Sequence, residues 1–269
     1  MDYQILIRKE GLRRGLSLRT IDTYCRCFDL FIKYCRKDAK KINKNDIKNF
    51  LDYLISKKSA GSTLNVYLNS IKFFYEQVLN KKLTLKIRFS KRPKTMPLFM
   101  TKEEVLKLID NIENRKYKLI IRLIYSAGLR VSELVNLRAR DLEIDKSYGW
   151  VRQGKGNKDR MFIIAEAVKQ DLIDIVNEKE NDDYLFEGRN GHLSTRSIQE
   201  IIKKAKRKAG IKKNIHPHTL RHSFATHLIE NGYCVSSVQS LLGHSSLDTT
   251  MIYVHMTTPK MINVKSPLD

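Results

Sequence analysis

His216-Pro217-His218-Thr219-Leu220-Arg221-His222 packs three histidines and an arginine into seven residues, the densest polar cluster of the 269-residue chain. Pro217 suits the first turn of a helix, because its φ is already helical and its missing N–H would have had no partner there. A helix begun at Pro217 places His218 and Arg221, three apart, on one face. His227 follows, so four histidines fall within twelve residues. Zinc would demand another pattern. No cysteine lies near, His-Glu-x-x-His does not occur, and the Arg221 cation disfavours an adjacent metal ion. We expect no metal and no cofactor, and read His222 and His227 as groups that pack the helix or brace its neighbours.

On the C-terminal side, Leu241-Leu242-Gly243-His244-Ser245-Ser246 ends a helix at Gly243 and leaves His244 just beyond it. Thr249 and Thr250 then precede Tyr253 in a short helical segment. On the N-terminal side, Gly128-Leu129-Arg130-Val131-Ser132-Glu133-Leu134 sets Arg130 at a glycine-started helix. Between these lie two stretches of strand character, Tyr148–Gln153 and Arg160–Ile164, joined by the turn chemistry of Gly154-Lys155-Gly156-Asn157-Lys158, which together predict a β-hairpin. Thr101-Lys102-Glu103-Glu104 is a capping box ahead of the apolar stripe Val105, Leu108, Ile109 and Ile112. Ser194 opens a further helix with Ile198, Ile201, Ile202 and Ala205 on one face.

The first third of the chain reads as helices with aromatic cores. Ser17 caps a segment in which Ile21, Tyr24, Phe28, Phe31 and Ile32 recur at three- and four-residue spacing. Ile47 to Ile55 presents Phe50, Leu51 and Leu54 on one face. Ser62 to Leu79 aligns Leu64, Tyr67, Leu68, Ile71, Phe74, Tyr75 and Val78. Such spacing assigns the aromatics to packing rather than to base stacking. After it, Arg88-Phe89-Ser90-Lys91-Arg92-Pro93-Lys94-Thr95-Met96-Pro97 combines two prolines with several cations and suits an exposed linker.

Charge names a class of partner. Lys and Arg total 51 against 29 Asp and Glu, a formal net charge of +22. That excess favours a polyanion, since each phosphate neutralised releases condensed counterions. Ribosomal proteins, membrane-surface proteins and nucleases share the balance, so charge alone gives no activity. No run approaches the length of a membrane span and no signal-peptide pattern is present, so we expect no membrane. Cys25, Cys27, Cys35 and Cys234 fit neither a zinc motif nor a disulfide framework, and the cytoplasm is the default location.

The ordered set "AGLRVSEL", "GKGNKDR", "HTLRHSFATHL", "LLGHSSLDTT" and "IYVH" resembles the tyrosine recombinase (phage integrase) family, most of all its Xer-type members. Each string is weak alone; five in family order are specific, and the likeness spans nearly the whole chain. The resemblance implies a mainly α fold with a small β-hairpin or sheet in the catalytic domain. It also implies a two-domain, C-shaped clamp: a helical SAM-like core-binding domain over residues 1–90, a linker over 91–97, and a catalytic domain over 98–269 with a C-terminal tail from about residue 254.

The implied function is site-specific recombination through a 3′-phosphotyrosine, with Xer-type resolution of chromosome or plasmid dimers; the alternative is the integrase of a virus or mobile element. By resemblance Tyr253 is the nucleophile, Arg130 and Arg221 clamp the phosphate, and His244 donates a further hydrogen bond to it. Lys155 is the general acid on the hairpin and His218 acts in acid–base chemistry beside the tyrosine. The implied partners are double-stranded DNA bearing a recombination site and further copies of the chain, as a tetramer on two paired sites joined by tail exchange.

The residue types suit that chemistry independently. Attack on a phosphodiester develops negative charge on non-bridging oxygens, and planar guanidinium forks grip such oxygens bidentately. They do here what divalent metals do in many nucleases. A phenol with an ordinary pKa of about 10 needs a base or a positive field to attack at neutral pH. Simpler readings accompany each residue. Arg130 could merely pair with Glu133, which is read as structural; Lys158 rivals Lys155; Tyr148 and Tyr233 are other tyrosines. The basic run Lys203–Lys208 is a solvated helix face that could also meet phosphates. Other classes to weigh are an architectural DNA-binding protein with a degenerate site, a type-IB-like topoisomerase, and a metal-dependent nuclease.

Overall fold

The computed structural model describes residues 2–81, 87–90, 96–152, 154, 159–189, 191–244 and 246–254. The chain divides into two compact units, Met1–Lys94 and Thr95–Asp269. It is mainly helical with small antiparallel sheets, the fold class expected. Residues 91–95 of the expected linker, the turn residues 155–158 and the tail after Val254 lie outside the described residues.

The N-terminal unit holds α1 (Tyr3–Arg13), α2 (Leu18–Cys35), α3 (Lys44–Ser56) and α4 (Gly61–Lys72). Ser17 caps α2 through its hydroxyl, and Asn43 and Asp46 form a reciprocal capping box at the start of α3. Helix α1 was not read from the sequence, because charges interrupt each of its apolar runs; Asp2 caps it and Ile7 seals it onto the core. Gly11 permits that docking: a Cβ there would sit 2.7 Å from Cγ1 of Ile21 on α2.

The segment predicted as one helix to Leu79 widens after Lys72 into a π-helical stretch, Phe73–Val78. Three successive aromatics, Phe73, Phe74 and Tyr75, are buried there. Phe74 packs against Phe28 at 4.0 Å between ring centroids and against Tyr3 edge-on at 5.7 Å. The Tyr75 hydroxyl donates to the Ala39 carbonyl at 2.8 Å. These rings serve packing, as expected. Asn65 exchanges two hydrogen bonds with the Ser90 backbone and so fixes residues 87–90 against α4.

In the C-terminal unit, the Thr101–Glu104 capping box starts α5 (Lys102–Asp110), followed by α6 (Arg115–Ala127) and α7 (Val131–Val135). The hairpin forms as β2 (Tyr148–Val151) against β3 (Arg160–Ile163), with Tyr148 opposite Ile163 and Val151 opposite Arg160. A short β1 (Leu142–Glu143) adds to β2, giving the antiparallel order β1-β2-β3. Then come α8 (Glu166–Val176), the small pair β4 (Glu187–Gly188) and β5 (Gly191–His192), α9 (Thr195–Lys208), α10 (Pro217–Glu230), α11 (Val235–Leu242) and α12 (Leu247–Val254).

Helix α10 begins at Pro217 as predicted and is buried around most of its circumference. Leu220 joins the main core with Ile120, Leu123, Leu134 and Phe162. On its other side Phe224 and Ala225 join Val238, Leu242 and Tyr253 in a smaller cluster. Ser223 ties the helix to the start of the unit, its hydroxyl accepting from the Met100 N–H at 2.9 Å. Among the described residues no helix is long and apolar enough to cross a membrane.

Phe74→Ala should remove a fully buried ring from the N-terminal unit and cost about 3–5 kcal/mol. Urea denaturation of the full chain, followed by far-ultraviolet circular dichroism, will read the loss as an earlier first transition.

Candidate active site

Arg130 begins where α6 ends. Gly128 terminates α6 at φ +60°, a conformation that L side chains rarely adopt. A Cβ at Gly128 would also lie 2.4 Å from Cδ1 of Phe224. Two residues later Arg130 is the N-cap of α7, and its N–H donates to Oε2 of Glu133 at 2.8 Å.

The Arg130 side chain turns to the same carboxylate, Nη1 donating to Oε1 at 2.6 Å. Arg130 does therefore pair with Glu133, yet the pair is part of something larger. Arg160 on β3 donates from Nη2 to Oε2 at 2.5 Å, and Nη1 of Arg221 lies 3.7 Å from that oxygen. One buried carboxylate faces three guanidiniums, so two positive charges remain in excess. Burial alone would raise the Glu133 pKa; Arg160 and Arg130 outweigh it and hold the carboxyl below its usual range.

Arg221 is 3% exposed and deeply anchored. Its Nη1 donates to the Gly128 carbonyl at 2.5 Å, and its Nη2 donates to the Leu242 carbonyl at the end of α11. Nη2 also lies 3.4 Å from Nε2 of His244. Gly243 ends α11 at φ +60°, turning the chain so that His244 points back toward Arg221. Nδ1 of His244 pairs with the Thr250 hydroxyl of α12 at 2.9 Å. Burial, then Arg221 and Arg130, push the His244 pKa down to about 4.

Tyr253, on α12, is 2% exposed and its ring stacks near His244 at 6.2 Å. Its hydroxyl bonds Nδ1 of His222 at 2.9 Å. Burial raises the phenol pKa, while Arg221 and Arg130 oppose the rise. His218 stands one turn before His222 on α10, ring centroids 6.5 Å apart, its pKa lowered by burial and by His216 and Arg221.

Arg130, His218, Arg221, His222, His244 and Tyr253 line one pocket of about 240 Å³. A cavity of about 650 Å³ shares Arg130 and adds Arg138, Arg140 and Arg152. Of the six residues singled out in the sequence, five meet in the smaller pocket; Lys155 lies outside the described residues.

Two contributors were not read from the sequence. Arg160 is the last residue of the quoted "GKGNKDR", and only the fold shows its charge turned inward to Glu133 and to the Leu241 carbonyl. His222, which the sequence offers as a group that packs the helix or braces its neighbours, turns its ring to the Tyr253 hydroxyl, a partner the sequence does not name. The other histidines of the cluster have separate tasks: His216 caps α10 with Thr219, and Nδ1 of His227 bonds the Tyr125 hydroxyl at 2.8 Å. Among the described residues no group of three or more His, Cys, Asp or Glu could hold a metal ion.

A guanidinium-lined pocket holding a phenol is equipped to bind a phosphodiester and attack it. Comparison with known proteins points the same way. The phage integrase family profile matches residues 98–259, and that of the phage integrase N-terminal SAM-like domain matches residues 7–85. A tyrosine recombinase XerD of Oceanobacillus iheyensis is 34% identical over 93% of this chain and 92% of its own length. A tyrosine recombinase XerA of Pyrococcus furiosus is 38% identical over 90% of this chain and 85% of its own. The fold resembles that of XerH recombinase bound to palindromic difH substrate, with a TM-score of 0.74 at 24% identity over 93% of this chain and 80% of that one.

Removing the shared carboxylate should strand buried guanidiniums, so Glu133→Ala is expected to cost about 3–5 kcal/mol in urea unfolding. Stability should also depend on pH through His222 and His244, both held near 4 in the folded chain against about 6.5 unfolded. Between those values the unfolded chain binds more protons, so stability is full above about 6.5 and is lost as pH falls toward 4. His244→Gln should flatten that fall, read as melting temperature across the same range.

Proposed function

The chain belongs to the phage integrase family of tyrosine recombinases and is a site-specific recombinase, and we propose that it cleaves and rejoins DNA through a covalent 3′-phosphotyrosine on Tyr253. The observation that carries this reading is the shared pocket: the Tyr253 ring, two guanidiniums and three imidazoles line one small cavity.

In the proposed reaction Arg130 and Arg221 take the non-bridging oxygens of one backbone phosphate. Both are held in place beforehand, Arg130 by Glu133 and Arg221 by the Gly128 and Leu242 carbonyls, so little reorganisation is needed as charge develops. His244 adds a donor to the same phosphate, oriented by Thr250. Tyr253 attacks phosphorus, its O–P bond forming as the bond to the 5′-oxygen breaks. Lys155, by resemblance, delivers the proton that the departing 5′-oxygen needs. Resealing reverses the sequence, and the phosphotyrosine conserves the energy of the broken bond, so no ATP is required.

DNA is the partner that the family and the charge support. The excess of cations, among them the exposed Lys203, Lys204, Arg207 and Lys208 of α9, suits backbone contacts. Arg138, Arg140 and Arg152, beside Arg130 in the larger cavity, extend the positive lining beyond the reacting phosphate. We assign the chain an Xer-type role, the resolution of chromosome or plasmid dimers, because its relatives include XerD and XerA over most of their length. Two paired sites held by a tetramer, with the residues after Val254 exchanged between copies, complete the proposal.

Covalent capture on genomic DNA, followed by sequencing of the attached fragments, should recover one recurrent site. On a nicked suicide duplex of that sequence, wild type should accumulate adduct in the presence of EDTA, and Tyr253→Phe none. Arg221→Ala should lower the adduct rate by about 10²–10³-fold. Equal adduct in wild type and Tyr253→Phe would remove the assignment.

A further inference from the structure

We propose that His222 is the proton acceptor for the Tyr253 nucleophile, with Nδ1 of the imidazole taking the phenolic proton as the oxygen attacks phosphorus. The inference rests on the reading of Tyr253 as nucleophile and adds a catalytic group to it.

Geometry carries it. Nδ1 of His222 lies 2.9 Å from the Tyr253 oxygen, within the range that direct proton transfer requires. The two rings are 5.7 Å apart and inclined at 47°. His218, the residue given acid–base work by resemblance, stands a turn earlier on α10 and lines the same pocket. Its position leaves it free to serve the phosphate or the leaving group while His222 serves the phenol.

The charges around His222 set its state. Facing it are His218, Arg221 and His216 from its own helix, Tyr253 from α12, and His244 from the loop after α11. Burial first, then His218 and Arg221, hold its pKa down at about 4, so at neutral pH the ring is uncharged and can accept. With the imidazole proton on Nε2, Nδ1 offers a lone pair to the hydroxyl. A docked phosphate would place negative charge on Arg221 and Arg130, offset their repulsion, and make imidazolium easier to form.

The step balances. The Tyr253 O–H bond breaks to Nδ1–H as the O–P bond forms, and the P–O5′ bond breaks with a proton supplied to the 5′-oxygen from the leaving-group side. Religation returns the Nδ1 proton to the departing phenolate.

The test separates the two sides of phosphorus. Nicked suicide duplexes of the captured site are made with oxygen or with sulfur as the bridging 5′ atom; a thiolate leaves without needing a proton. His222→Asn keeps an acceptor oxygen near the Nδ1 position but takes no proton, and His222→Gln removes that acceptor. Both are compared only where DNA binding matches wild type. We expect at least one to bind as wild type and to form adduct about 10²-fold more slowly on both substrates. Raising the pH toward the ionisation of the phenol should recover that rate. Lys155→Ala, in contrast, should be slow on oxygen and recovered by sulfur.

A wild-type rate in His222→Asn, or a defect that sulfur repairs, overturns the proposal while leaving Tyr253 as nucleophile. So does a slow rate that does not rise with pH, and so does failure of both variants to bind DNA, which would make His222 a structural residue. Absence of adduct with wild type sinks the underlying reading instead.

Discussion

One carboxylate surrounded by guanidiniums holds the catalytic unit's site together. Glu133 is buried, and burial of a charge is tolerated only where partners offset the lost hydration. Arg130 and Arg160 supply that offset directly, and Arg221 lies close by. In return, cations that would repel one another are kept together around one carboxylate. The surplus of positive charge favours an anion at this place.

The elements that carry these residues are tied by the same contacts. Arg160 links the hairpin to α7 through Glu133 and to α11 through the Leu241 carbonyl. Arg221 links α10 to the end of α6 and the end of α11. His244 and Thr250 link the loop after α11 to α12. The bonds from Arg160 to Leu241 and from Arg221 to Gly128 and Leu242 also close helix ends whose carbonyls would otherwise lack donors. Fold and site therefore draw on one set of hydrogen bonds, and a change at either is felt by both.

Much of this was legible in the sequence, and the rest was hidden for physical reasons. Pro217 marked the start of α10, Gly243 marked the end of α11, and Thr101 with Glu104 marked α5, because backbone chemistry at helix ends is local. The assembly of Arg130, His218, Arg221, His244 and Tyr253 in one pocket could be anticipated only through motif order, since spacing along a chain does not give distance in space. Helix α1 is not legible because charges interrupt its apolar runs, and Tyr3, Ile7 and Gly11, which dock it, make too little periodicity to register. The π-helical turn at Phe73 likewise answers to packing rather than to any local signal. His222 was legible as a helical residue but not as the partner of Tyr253, a contact made across thirty-one positions. Arg160 was present in a quoted motif, yet the direction in which a strand residue points depends on register, which the turn between the strands decides.

Tyr253 belongs to the apolar cluster formed by Phe224, Ala225, Val238 and Leu242, so the proposed nucleophile is also a wedge that seats α12. A phosphoryl group on its oxygen would give that wedge a bulky, charged tip. The joined state would be strained relative to the free one wherever the ring must stay seated, and that strain would favour returning the DNA end over keeping it.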